Sequence, residues 1–121
     1  FNTANGFSSL SLNTTGGVNT ANGYYSLSSN TTGKSNTAIG EGSLINNTTG
    51  NYNTAIGSNA NTSSGNLSNA TAIGYTATVD ASNKVRIGNT SVTSIGGQVS
   101  WTTFSDGRYK KEIKENEIKN Q

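Results

Sequence analysis

Side-chain amides are the groups in this chain whose type and spacing bear most on chemistry. Asn2, Asn19, Asn36 and Asn53 stand 17 residues apart, and Asn13, Asn30 and Asn47 repeat at the same interval. An amide both donates and accepts hydrogen bonds, so like amides brought into register bond to one another as ladders. Their chemistry is cohesive rather than catalytic. With no Cys and no His, the usual zinc, haem, disulfide and Cys-nucleophile readings fall away, and no metal or cofactor is expected. Glu41 and Asp80 are the only acids before the final stretch, so no carboxylate pair serves catalysis on an external substrate. Calcium-binding solenoid repeats would need a periodic Asp, which is missing. Tyr24, Tyr25, Tyr52 and Tyr75 are candidate binding contacts, against the plainer reading of surface or packing tyrosines. The recurrent Asn-x-Thr/Ser sequons follow from the repeat itself and carry little weight.

The elements that position the amides must be repetitive. Closing glycines fall at Gly6, Gly23, Gly40, Gly57 and Gly74, 17 residues apart, each ending an "NTAIG" or "NTANG" string or the "ATAIG" of the last unit. A second motif, "NTTG", ends at Gly16, Gly33 and Gly50 and is preceded by Leu10, Leu27 and Leu44. Each unit therefore holds two short strand-like pieces with glycine turns, where Gly accepts positive φ and Asn tolerates it. In the fourth unit Gly65 comes two residues early, a slip that preserves strand facing, and the interval from Gly74 to Gly88 shortens to 14. Two strands and two turns per period predict an all-β chain: a parallel β-solenoid whose thin coils stack on their neighbours.

Composition fits stacking better than an ordinary core. Asn, Thr, Ser and Gly fill 69 of 121 positions, while 30% of residues are hydrophobic and 12% charged. Without Pro and with a net charge of only +2, the chain also lacks the usual marks of disorder. No apolar run approaches the roughly 20 residues needed to cross a bilayer, so membrane insertion is not expected of this stretch. The chain opens on Phe1 in mid-repeat and reads as a fragment.

Ordering a coil costs about 1 to 2 kcal/mol per residue, and burying one Ile or Leu returns only about 1.5 to 3 kcal/mol. A second buried surface is therefore wanted. Alternation within "NTAIG" puts Thr and Ile on one face and Asn and Ala on the other. Ala4, Ala21, Ala38, Ala55 and Ala72 form a strip of small side chains, expected to face an oligomer axis. Ile39, Ile56 and Ile73, with Leu10, Leu27 and Leu44, are expected to fill the roll interior.

Repeated "NTAIG" with intervening "SLxxNTTG" or "SNANTSSG" resembles the head repeats of trimeric autotransporter adhesins of the YadA-like type and related repeats in phage tail fibres. The resemblance runs to about residue 88. It implies a left-handed parallel β-roll, a homotrimer, and display outside the cell on a bacterial surface or a virion. In the first two units Asn5 and Asn22 stand in place of Ile, which predicts weaker packing or a different neighbour there.

Three regions follow: a β-roll over residues 1–84, a β-rich neck over 85–104 and a charged tail over 105–121. In the neck, Val85 with Ile87 and Val99 with Trp101 stand at two-residue spacing, and glycines divide it into three short expected strands. Trp101 is expected to be buried where three chains exchange strands, with a ligand platform as the rival reading. "SDGRYKKEI", from Ser105, resembles the start of the intramolecular chaperone domain of endosialidase-type tail spikes. That resemblance implies self-cleavage between Phe104 and Ser105, with Ser105 as nucleophile and Lys110 as its base. The alternative is a helix start, with Ser105 as N-cap, Asp106 in the first turn, and Tyr109 and Ile113 on one face. The tail's alternating charges fit a solvated helix face rather than a nucleic-acid site. The expected function is a structural fibre or adhesin segment that projects a surface toward a host glycan, protein or matrix. Ice binding by a Thr-rich solenoid and a self-cleaving maturation segment are the alternatives, and no enzymatic turnover is expected beyond that single cut.

Overall fold

The computed structural model of the chain describes residues 1 to 104. Those residues form an all-β solenoid of parallel strands, with no helix among them. Strands β1 (Thr3–Asn5), β2 (Thr20–Asn22), β3 (Thr37–Ile39), β4 (Thr54–Ile56), β6 (Thr71–Ile73) and β8 (Val85–Ile87) make one six-stranded sheet in that order. Strands β5 (Asn61–Thr62) and β7 (Thr78–Val79) pair separately. Every pairing in the large sheet is parallel, and each repeats the same register: Ala4 lies on Ala21, then Ala38, Ala55 and Ala72, and finally Arg86. The 17-residue period is thus one turn of the solenoid, and about five turns stack at the ~4.8 Å spacing of β-strands.

The amides form the expected ladders, and they lie inside. Asn19, Asn30, Asn36, Asn47 and Asn53 are buried. Asn36 Nδ2 donates to Gly50 O at 2.8 Å and to Asn19 Oδ1 at 3.1 Å, and Asn36 Oδ1 accepts the Asn53 backbone N–H at 2.9 Å. In the second column Asn30 Nδ2 donates to Asn13 Oδ1 and Asn47 Nδ2 to Asn30 Oδ1. Buried polar groups survive because each has a partner one coil away. That column stops at Asn47, whose Oδ1 accepts from Asn53 Nδ2 instead of from a further coil.

Alternation along "NTAIG" holds, but the faces are the reverse of the expected assignment. Ala21, Ala38, Ala55 and Ala72 are fully buried inside the single chain, and Ala4 is exposed only in the end coil. They therefore cannot form an outward strip along an axis. Ile39, Ile56 and Ile73 point outward and are 38 to 42% exposed. The reason is width: a coil whose walls already enclose an Asn amide and a leucine has room for a methyl group from the facing strand, not for a branched chain. The leucines do sit inside, with Leu27 and Leu44 fully buried and Leu10 nearly so.

No slip of two occurs in the fourth coil either. Gly65 O accepts from Thr48 N just as Thr48 O accepts from Thr31 N, so Gly65 stacks on Thr48, 17 residues before it. Leu67 takes the place above Gly50, its carbonyl receiving Asn53 Nδ2 at 2.7 Å as Gly50 O receives Asn36 Nδ2. The 14-residue shortening is real, since Thr71 pairs with Val85. Corners are not all glycine: Leu10, Leu27 and Leu44 adopt φ of 50 to 52°, and Val18 has φ 58°. These left-handed positions are costly for residues with a Cβ, most of all a β-branched one, and stacking on the neighbouring coil holds them there.

Candidate functional site

Three surfaces stand out on the described residues. The first is the outer face of the large sheet, where Thr20, Thr37, Thr54 and Thr71 are half-buried beside the exposed Ile39, Ile56 and Ile73. Both columns continue into β8 with Val85 and Ile87, 63% and 41% exposed. In the first two coils the isoleucine column is polar, with Asn5 and Asn22 exposed.

The second surface lies across the glycine corner of those two coils. Phe7 stacks on Tyr24 with ring centroids 5.7 Å apart, and Tyr25 meets Tyr24 edge-on at 4.5 Å. The partial desolvation of Tyr24, then its neighbour Tyr25 and the charge on Glu41, push its phenol pKa up. Phe7 was not singled out by type alone; its place 17 residues before Tyr24 is the signal that joins it to the cluster. Tyr52 and Tyr75 are each 67% exposed and share no ring contact with this cluster.

The third is a cleft of about 350 Å³ at the C-terminal end of the roll, lined by Thr76, Thr78, Arg86, Ile87, Gly88, Asn89 and Thr90. Asn89 Nδ2 donates to Tyr75 O and to Thr76 Oγ1, both at 3.0 Å, which fixes the rim. Beside the cleft Lys84 Nζ lies 2.7 Å from Asp80 Oδ1, and the Arg86 guanidinium is 4.0 Å from the same oxygen. The hydrogen bond from Lys84 and its charge, with a smaller contribution from Arg86, hold the Asp80 carboxyl below the ordinary aspartate value. Sequence reasoning passed over this cleft because its residues look unremarkable until the short last coil is aligned with the others.

Comparisons with protein-family models, with curated proteins and with solved structures find no match for this chain. The surfaces therefore speak through their own chemistry. No cluster of three His, Cys, Asp or Glu side chains suited to a metal occurs among the described residues, and none of their elements is a helix long and apolar enough to cross a membrane.

In the neck, β8 is the only strand among the described residues; residues 89 to 104 have no regular strand. Trp101 is 70% exposed, and Val92, Ile95, Val99 and Phe104 are exposed as well, so a single chain does not bury the tryptophan. The two strands expected after Gly88 do not form among the described residues. Ser105, Lys110 and the alternative helix of the tail lie outside the described residues.

Proposed function

We propose that this chain is a segment of a homotrimeric extracellular fibre, of the YadA-like head or phage tail-fibre type, that holds an attachment surface away from a bacterial cell or virion. The observation that carries the reading is the outward column Ile39, Ile56, Ile73 and Ile87, with Val85 beside the last, kept in register from coil to coil on a chain rich in Asn, Thr and Ser. An aligned apolar stripe on a flat sheet marks an interaction face, and three copies closing around it give a stiff rod without further chain. This replaces the alanine strip with the Thr/Ile face as the contact between chains. The apolar side chains of residues 92 to 104 support the same reading, since strands exchanged among three chains give Trp101 and Phe104 the partners a lone chain lacks. The phenol-rich corner at Tyr24 and Tyr25 remains on the outside of such a trimer and serves as a contact for a host glycan or protein.

Native mass measurement tests the assembly. A trimer is expected, and Ile56→Asp, which sets a charge in the middle of the stripe, shifts it to monomer. A well-folded monomer at micromolar concentration for the unmodified chain overturns the reading. A second reading, ice binding, draws on the same face, where half-exposed threonines repeat at coil spacing. A thermal-hysteresis assay separates the two, because a face covered in a trimer has no rank of hydroxyls to offer ice.

A further inference from the structure

The register of the last coil places charge where every earlier coil places none. The buried column Asn19, Asn36 and Asn53 continues through Ala70, which accepts its place by donating its backbone N–H to Asn53 Oδ1 at 2.9 Å. Strand pairing sets Lys84 next in that column, since Thr71 N bonds to Lys84 O as Thr54 N bonds to Ala70 O. The alanine column ends in the same way on Arg86, paired with Ala72. Neither cation fits between stacked coils, and neither is buried: their side chains are 43% and 46% exposed. They emerge at the open end of the roll. Lys84 is satisfied there by Asp80, whereas the Arg86 guanidinium reaches the same carboxylate only at 4.0 Å and makes no side-chain hydrogen bond among the described residues.

Arg86 also lines the cleft, a wall it shares with Thr78 and Thr90. Asn89 and Thr76 are already bonded to each other and hold the wall in place. A single guanidinium with bonds to spare matches a planar carboxylate, which it takes through two parallel N–H donors. Threonine hydroxyls, which both donate and accept, match the hydroxyl edge of a sugar ring. The volume accommodates one monosaccharide unit.

We propose that this cleft binds a carboxylate-bearing sugar unit of a surface glycan, with Arg86 on the carboxylate and Thr78 and Thr90 on ring hydroxyls. The assignment rests on the attachment reading above and names its ligand class. Asp80 competes for Arg86, so loss of its charge tightens binding.

Titration of the full chain with glucuronate, followed by NMR, tests this. Shifts are expected at Arg86, Thr78 and Thr90, with glucose binding at least about tenfold more weakly, the discrimination of one charge-assisted bidentate contact. Arg86→Gln removes the preference for glucuronate while leaving the melting curve in place, and Asp80→Asn strengthens glucuronate binding several-fold. Inorganic phosphate is the competing probe: binding as tight as that of glucuronate makes the cleft a general anion site and overturns the proposal. Equal affinity for glucose and glucuronate, or an unchanged Arg86→Gln variant, overturns it too. Failure here is distinct from failure of the attachment reading. A trimer that adheres to cells with Arg86→Gln unaltered sinks the cleft alone, and a chain that binds glucuronate but stays monomeric and non-adherent sinks the fibre alone.

Discussion

The roll up to Ile87 and the stretch from Asn89 to Phe104 treat their residues in opposite ways. In the roll, Asn and Ser side chains are fully buried while isoleucines stand in the open. After Gly88 the largest apolar side chains, Trp101 and Phe104, are exposed, and no further coil stacks on them among the described residues. Hydrophobicity alone therefore does not decide what is inside this molecule; a partner at one-coil distance does. A polar group matched in the next coil is cheaper to bury than an apolar group with nothing beside it. The first region finds partners for its buried groups within one chain, and the second leaves its largest apolar side chains without them among the described residues.

The largest test of that contrast sets Asn36→Ala against Trp101→Ala. Removing the Asn36 amide deletes the bonds to Gly50 O and Asn19 Oδ1 and leaves the Asn53 N–H without its acceptor. A loss of about 3 to 5 kcal/mol is expected, because the groups left behind stay buried and unpaired. Trp101→Ala, at a 70% exposed site, is expected to leave unfolding of the roll within about 0.5 kcal/mol of the unmodified chain. Denaturant unfolding monitored by far-ultraviolet dichroism measures both. The opposite ranking would mean that the stretch after Gly88 holds the roll together.

Glycines sharpen the comparison at the next level. A Cβ on Gly40, where φ is +123°, would lie 2.7 Å from the backbone of Gly57, while a Cβ on Gly96 meets nothing within 4 Å. Gly40→Ala should cost about 2 to 3 kcal/mol by overpacking against backbone that cannot move aside, and Gly96→Ala close to nothing. Comparable melting temperatures for the two variants would refute the close stacking of coils at that corner.

These sites also show how far the sequence could be read. Period, strand pairing, the amide ladders and the buried leucines follow from spacing, because a stack repeats its contacts and so repeats its letters. Which side of the "NTAIG" strand faces inward does not follow, since period-2 alternation is symmetric and only the interior width, set by Leu27 and Leu44 across the coil, chooses Ala over Ile. The fourth coil misled for a related reason: Gly65 looks like a displaced Gly50, yet it stands on Thr48, and a glycine letter does not reveal which corner it occupies. The end cleft is legible only after the 14-residue coil is registered, when Lys84 and Arg86 fall in columns of Asn and Ala.

A smaller effect of opposite sign lies inside the roll. Thr62 is fully buried in β5, and its Oγ1 finds no hydrogen-bond partner among the described residues. Its paired neighbour is Val79, which is already apolar. Thr62→Val keeps the shape and removes the unpaired hydroxyl, so the roll should gain about 1 kcal/mol. A destabilised variant would show that the hydroxyl has a partner, such as a buried water, at the point where the amide ladder stops.

The smallest effect falls at the junction of the two regions and depends on pH. Asp80 has its carboxyl pKa lowered below the ordinary aspartate value by the hydrogen bond and charge of Lys84, so the folded chain binds this proton less readily than the unfolded chain. Its contribution to stability is present above the ordinary aspartate value and is lost as pH falls through the depressed one. Because Lys84 and Asp80 are both well exposed, solvent and salt screen the pair and the step is slight. The ladder amides do not titrate, and Glu41 is the only other carboxylate side chain in residues 1 to 104. Melting temperatures measured from about pH 6 to about pH 2 should therefore stay nearly level, with one shallow drop at the acid end that Lys84→Gln or high salt erases. A steep acid transition would place the stability of the roll in charges rather than in its stacked amides, and a drop that survives Lys84→Gln would assign the step to a group other than Asp80.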